Sequence, residues 1–186
     1  MYLKNHVRVL SMDVISFDRY VLMGMKSFSK ISHFHGMDVV LYDRGDEYLL
    51  LLQKELLHYI VNGDDSSFLC LFSPLVRRVH KSSPLQDISY ELELFQRNLN
   101  EPRIRKAHLS NVENNVLLAL LACKTNYEIS SLFSFNSKIS SNYKNIVLHK
   151  LKLNSLSELL LIYNTWRKYR TLFGIEYFSM QYNNAK

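Results

Sequence analysis

Glycine, proline and cysteine are scarce, at 5, 3 and 2 residues in a chain of 186. So few glycines leave little for loops that cradle phosphates with bare backbone, and no G-x-G-x-x-G, G-x-x-x-x-G-K-S/T or G-x-S-x-G run occurs. Two cysteines cannot build a disulfide scaffold. Cys70 and Cys123 both lie in apolar sequence, which suits buried thiols in a reducing compartment. No apolar run reaches the roughly 18–20 residues that a bilayer crossing needs. The opening, Met1 to His6, lacks the apolar stretch and small-residue cleavage site of a secretory signal, so a cytoplasmic protein with no membrane partner is expected. His33 and His35 stand two apart with no Cys or third His nearby, a pattern that fits solvent exposure better than zinc.

What the chain does have is core material and an uneven charge. Hydrophobic residues make up 47%, enough for a packed interior and too many for a disordered tail. Residues 1–100 hold 11 Lys/Arg against 12 Asp/Glu, whereas residues 101–186 hold 12 against 5. The whole basic excess therefore lies in the second half. That asymmetry is expected where one part approaches a polyanion and the other does not, although solubilising surface charge would also produce it.

The polar stretch Asn98 to His108, with Pro102, breaks the hydrophobic periodicity and reads as a boundary: a domain over 1–100, a linker over 101–108 and a second domain over 109–186. Before it, short apolar runs alternate with helical spacings. Strands are expected at Val7–Met12, Asp38–Tyr42, Ser67–Phe72 and Leu75–His80. Helices are expected at Phe17–His33, Glu47–Val61 and, opened by Pro84, Leu85–Leu99. This order predicts an α/β domain with a mostly parallel sheet. After the boundary every periodic segment is helical: Asn111–Cys123, Asn126–Phe133, Ser137–Leu151 and Ser155 to about Tyr169, the last opened by a Ser155/Glu158 capping box. Four short helices predict a compact all-α module. The aromatic and basic segment Trp166–Phe178 either extends its last helix into a dimer seam or covers the bundle.

The helical half carries a specific pattern. Leu109-Ser, Glu113, Val116-Leu, then Asn126-Tyr-Glu128-Ile129-Ser130, then Lys138-Ile and Asn145-Ile146, then Lys150-Leu-Lys-Leu153 with Ser155, Glu158 and Leu159 occur in order. Over residues 109 to about 163 this resembles the LuxR-type (NarL/FixJ-type) helix-turn-helix. The chain departs from that pattern in three places. The turn between Ile129 and Ile139 is one residue short, one residue is inserted between Asn145 and Lys150, and Lys124 replaces the usual glycine.

The resemblance implies a recognition helix over Ser137–Leu151. Ile139, Ile146, Val147 and Leu151 would hold it on the bundle, and Ser137, Lys138, Ser141, Asn142, Lys144 and Asn145 would face the major groove of double-stranded DNA. Thr125 and Asn126 open the preceding helix, whose first amides suit a phosphate. Lys150, Lys152, Lys124 and Arg105 could add backbone contacts, with a solvated-surface role open for each.

In the first half, the run Met12-Asp13-Val-Ile-Ser16-Phe17-Asp-Arg19 resembles RcsA-like auxiliary regulators and the opening of a response-regulator receiver. By that likeness Asp43 is placed as a phosphoacceptor, with Ser73 and Lys81 as its helpers. Only one carboxylate, Asp13, stands where a receiver has a pair for Mg²⁺. The plainer reading is that Asp43 starts a turn, Ser73 ends a strand before Pro74, and Lys81 is exposed. The expectation is a degenerate receiver-like domain joined to a LuxR-type DNA-binding module. Such a protein would be a non-enzymatic, cofactor-free, nucleoid-associated regulator, dimeric with itself or with a related regulator. The alternatives are a response regulator phosphorylated on Asp43 and an interaction protein that no longer binds DNA.

Overall fold

Strands that are apolar at every position must be covered on both faces. The computed structural model describes residues 13–31, 39–98 and 104–183, with side chains described over 14–25, 39–98 and 104–173. Strand β2 (Val39–Asp43) is buried throughout, and β3 (Tyr48–Gln53) is buried from Leu49 to Leu52. With β1 (Asp13–Ile15) and β4 (Arg77–His80) they form a four-stranded sheet in the order β1-β2-β3-β4. Only β1 and β2 are parallel; β2–β3 and β3–β4 are antiparallel. The expected mostly parallel sheet is thus a mixed one. Connection length decides this: residues 44–47 between β2 and β3 suffice for a hairpin turn but not for a crossover helix.

The two-residue period of the strands divides the sheet between two cores. Val40, Tyr42, Leu50 and Leu52, with Ile15, enter one buried cluster; Val39, Leu41, Leu49 and Leu51, with Val14 and Val79, enter the other. The second cluster is closed by Met25 of α1 (Arg19–Ile31) and by Ile88 and Leu92 of α3 (Leu85–Arg97). The first is closed by Leu56 and Ile60 of α2 (Lys54–Asn62) and by Phe68–Leu71 of a 3-10 segment, Asp65–Phe72. It then continues into α4 (Asn111–Leu121), α5 (Asn126–Phe133), α6 (Ser137–Lys150) and α7 (Leu156–Asn183). One hydrophobic cluster therefore runs from the sheet into the basic half, across the segment read as a linker.

Helix α7 makes that continuity. At 28 residues it is far longer than the short closing helix expected from the pattern. Its Trp166 is 1% exposed, and its indole N–H donates to the Ile60 carbonyl at the end of α2, at 2.9 Å. One turn on, Arg170 donates to the Gly63 carbonyl at 2.8 Å and pairs with Asp65 at 2.7 Å. Tyr169 stacks on Phe17 with ring centroids 4.4 Å apart. The Trp166 end of the aromatic segment thus covers the sheet half. α7 also approaches the β2–β3 turn so closely that a Cβ at Gly45, whose φ is +94°, would collide with the Thr165 side chain. Glycine is required there for both reasons.

Several expected elements change type. Glu47–Val61 is not one helix: its first part is β3, and α2 starts only at Lys54. A four-leucine run buried on both faces pairs as a strand despite leucine's helix propensity. Ser67–Phe72 is a 3-10 helix, not a strand; a short apolar run cannot be told from a buried helical turn by its period. The strand at Val7–Met12, the residues His33, His35 and Asp38, and residues 99–103 of the linker lie outside the described residues. Cys70 is buried, and burial pushes its thiol up to about 11, but Cys123 is exposed. Among the described residues no helix is long and apolar enough to cross a membrane.

Replacing Trp166 by Ala should cost about 3–5 kcal/mol of stability, read by circular dichroism in a denaturant titration, because a fully buried aromatic is lost together with the partner of the Ile60 carbonyl. In the intact chain the fluorescence of this sole Trp should report the same midpoint as the helical signal. Two separated midpoints would show that α7 does not join the halves.

Candidate nucleic-acid interface

Helices α4, α5 and α6 are set by their caps. Ser110 caps α4 and accepts from the Glu113 amide while Glu113 accepts from the Ser110 amide; Thr125 and Glu128 repeat the arrangement at α5. Asn136 caps α6, its Oδ1 accepting from the Ile139 amide at 2.8 Å. Only residues 134–136 separate α5 from α6, with Ser134 in the left-handed conformation at φ 54°. Ser140, fully buried, donates to the Asn126 carbonyl at 3.2 Å and so fixes the start of α5 against α6. The Phe135 ring stacks on Tyr143 at 5.2 Å and closes the other side of the turn.

Helix phase then sorts the α6 side chains, which advance about 100° per residue. Ser140, Val147 and Leu148 form the buried stripe, with Leu151 just beyond the helix end. Ile139, expected to be inside, is 41% exposed, and Ser140 takes the inward position instead. Ser137, Lys138, Asn142 and Asn145 are exposed, as expected. Lys138, Ile139, Ser141, Asn142 and Asn145 line one shallow open face. From Lys138 to Asn145 that face covers two turns, or about 10 Å of helix, close to the ~12 Å width of a DNA major groove. His149, exposed one turn beyond Asn145, continues the face and was missed by motif comparison; counting on by four from Asn145 would have found it. α6 contains no Asp or Glu.

Other expected contacts lie elsewhere or are engaged. Lys144 is half-buried and sits about a third of a turn away from Lys138 and Asn145, within the arc of the buried stripe between Ser140 and Leu148. Lys150 pairs with Glu113 at 2.7 Å and ties the end of α6 to the start of α4, so it is not a free phosphate contact. That bond, with the Ser110 amide, holds the Glu113 carboxyl below the usual glutamate range. Lys124 pairs with Glu128 at 3.1 Å. Thr125 is engaged by its cap: its amide and hydroxyl both donate to Glu128, and the Glu128 carboxyl is pulled down to about 2 by these bonds and by Lys124. Asn126 is half-buried, with its carbonyl taken by Ser130 and Ser140 and its side chain without a partner among the described residues. Arg105 is exposed. The Ser155 hydroxyl accepts from the Glu158 amide at 3.1 Å, but Glu158 reaches back to the Asn154 amide instead of the Ser155 one.

Asp43 is 3% exposed at the end of β2. Its carboxylate accepts from the Ser16 hydroxyl, from the Gly45 amide at 2.8 Å and from the Lys81 ammonium at 2.8 Å. Lys81 is therefore half-buried and paired, not exposed, and Asp43 both starts the turn and anchors the ion pair. Ser73 is 5% exposed and accepts from the Leu75 amide at 3.2 Å. No group of three or more His, Cys, Asp or Glu placed to hold a metal ion occurs among the described residues.

Comparison of the chain with protein-family models, with curated proteins and with solved structures returns no match.

The Glu113 bonds make a pH-dependent contribution. Its folded pKa is depressed, so the stabilisation is complete above the unfolded carboxyl range and is lost as the pH falls through the folded value. Glu113→Gln should lower stability by about 1–2 kcal/mol at pH 7, and the gap to the parent should close below about pH 4. A gap that stays constant in thermal melts down to pH 3 would mean that the charge contributes nothing.

Proposed function

We propose that the chain is a sequence-specific, double-stranded-DNA-binding transcriptional regulator of the LuxR type, with α5 and α6 as its helix-turn-helix and α6 as the recognition helix. The supporting observation is the acid-free outer face of α6. Lys138, Ser141, Asn142 and Asn145 lie side by side there, without carboxylate partners among the described residues, on a helix held by Ser140 and Val147 behind it. Asn reads adenine bidentately, and Lys reaches guanine or phosphate. The protein acts at the nucleoid as a dimer, with itself or with a related regulator, on a two-fold site. The sheet half is a degenerate receiver-like domain used without phosphorylation. Asp43 and Lys81 keep the acceptor–lysine pairing that the resemblance implies, but Ser16 and Gly45 occupy the rest of the carboxylate.

Selection of bound sequences from a random duplex pool tests this reading. A defined site should emerge, with affinity falling linearly on a log–log salt plot. Lys138→Ala, Asn142→Ala and Asn145→Ala should each weaken binding roughly 5- to 150-fold, with the melting temperature unchanged. No enriched site and no salt-dependent shift, with another regulator co-purifying, would make the chain an interaction protein instead. Labelling by acetyl phosphate that disappears in Asp43→Asn would overturn phosphorylation independence.

A further inference from the structure

A second polar site lies between the sheet and the turn that follows α6. Arg44, at the start of the β2–β3 turn, is 1% exposed. Its Nε and Nη2 both donate to Asp46, and Glu158 lies 3.7 Å from Nη2. The guanidinium carbon sits 5.7 Å from the Tyr48 ring and 5.6 Å from the Phe72 ring. These contacts fix the group in place. The remaining nitrogen, Nη1, is buried and has no hydrogen-bond partner among the described residues.

Arg44 lines a cavity of about 90 Å³ together with Phe72, Ser73, Arg78, Leu151 and Lys152. That is several times the ~10–15 Å³ a single water requires. Among the described residues neither Arg78 nor Lys152 has a carboxylate partner, and Ser73 uses its oxygen only as an acceptor, leaving its hydroxyl proton to donate.

A buried guanidinium corner without an acceptor is costly unless an acceptor comes to it, and a charged one restores most. Two further unpaired cations set the charge of that acceptor closer to a dianion than to a carboxylate. Donors come from four separate segments: the β2–β3 turn (Arg44), β4 (Arg78), the loop after the 3-10 segment (Ser73) and the turn after α6 (Lys152). That arrangement suits a tetrahedral oxyanion better than a planar one. We propose that this cavity binds the phosphoryl group of a small phosphorylated ligand. Arg44 and Ser73 are too deeply buried for the backbone of a duplex, so the ligand is free inorganic phosphate or a phosphate monoester. When bound, it bridges the β2–β3 turn to the residue that follows the proposed recognition helix. The site shares no residue with the outer face of α6 and its decisive assay contains no DNA, so failure of the regulator reading leaves it standing.

The test is calorimetry and thermal melting of the full chain with inorganic phosphate and with glycerol 3-phosphate, against chloride at equal ionic strength. Saturable heat and a saturable rise in Tm are expected with one or both phosphates and not with chloride. Lys152→Asn removes the charge while tolerating the φ of +55° found there, and Arg78→Met removes the second cation from a half-buried edge position. Each should melt near the parent without ligand and bind phosphate roughly tenfold more weakly. Should Lys152→Asn lower the ligand-free Tm, Lys152→Gly keeps the turn and replaces it. The proposal is overturned by absence of saturable binding of either phosphate, by equal stabilisation in chloride, or by unchanged affinity in both variants. Stabilisation by a duplex alone, lost in Lys152→Asn, would assign the cavity to the DNA backbone and equally overturn it.

Discussion

The β2–β3 hairpin has no polar face, and the rest of the molecule is arranged to meet that condition. Val39 to Tyr42 and Leu49 to Leu52 are all at most 1% exposed, so each face of the pair needs its own cover. Helices α1 and α3 supply one. The other cannot come from α2 and the 3-10 segment alone, and α7 completes it with Trp166 and Tyr169. Because α7 begins against α4 and its middle packs on α2 and, through Tyr169, on Ile15 and Tyr42, the hydrophobic effect acts on both halves through one helix. The outer face of α6 is thereby held in a set position relative to the sheet. A chain whose sheet had one solvated face would need no such tie.

The helical half was the more legible part, for a physical reason. Its helix starts rest on local chemistry: Ser110 with Glu113, Thr125 with Glu128 and Asn136 cap first turns with the bonds present, although the one box read from the sequence, Ser155 with Glu158, forms only in part. β2 and α3 were likewise legible, the first from a fully apolar run and the second from Pro84 at its entrance. The misread segments depend on distant partners. Leu49–Leu52 pairs as a strand between β2 and β4, and Phe68–Leu71 is a buried helical turn whose Phe68 packs under Tyr163 and Trp166 of α7. Ile139, expected inside, faces outward, and Ser140, given no face by the pattern, is buried because the Asn126 carbonyl, brought near by the short turn, gives its hydroxyl an acceptor.

Charge was legible as a total and not as a distribution of partners. Much of the basic excess is neutralised locally: Lys150 by Glu113, Lys124 by Glu128, and Arg170 by Asp65. The exposed Lys124–Glu128 pair contributes little energy, but each of these pairs removes a cation from the set available to a polyanion. Among the described residues, Lys138 on the face of α6 and Arg78 with Lys152 beside the sheet are cations that keep no carboxylate partner. Counting lysines along the chain treats Lys150 and Lys138 alike; only the position of Glu113 separates them.

Arg44 shows the same logic carried into the interior. A lysine at this position would place one compact, strongly hydrated charge among Leu71, Phe72 and Tyr48, and burial would drive it towards neutrality. A guanidinium spreads its charge and lies against the two rings. It gives two of its nitrogens to Asp46, so most of its desolvation is offset within the fold. Among the described residues the uncompensated part is confined to Nη1, on a residue that lines the same cavity as Ser73, Arg78 and Lys152. Stability alone would favour a hydrophobic residue there, since such replacements of buried ion pairs are commonly neutral or stabilising. The arginine is therefore better understood as a positioned donor, held rigid by its ring contacts and its carboxylate, at a cavity lined both by the sheet and by the turn after α6.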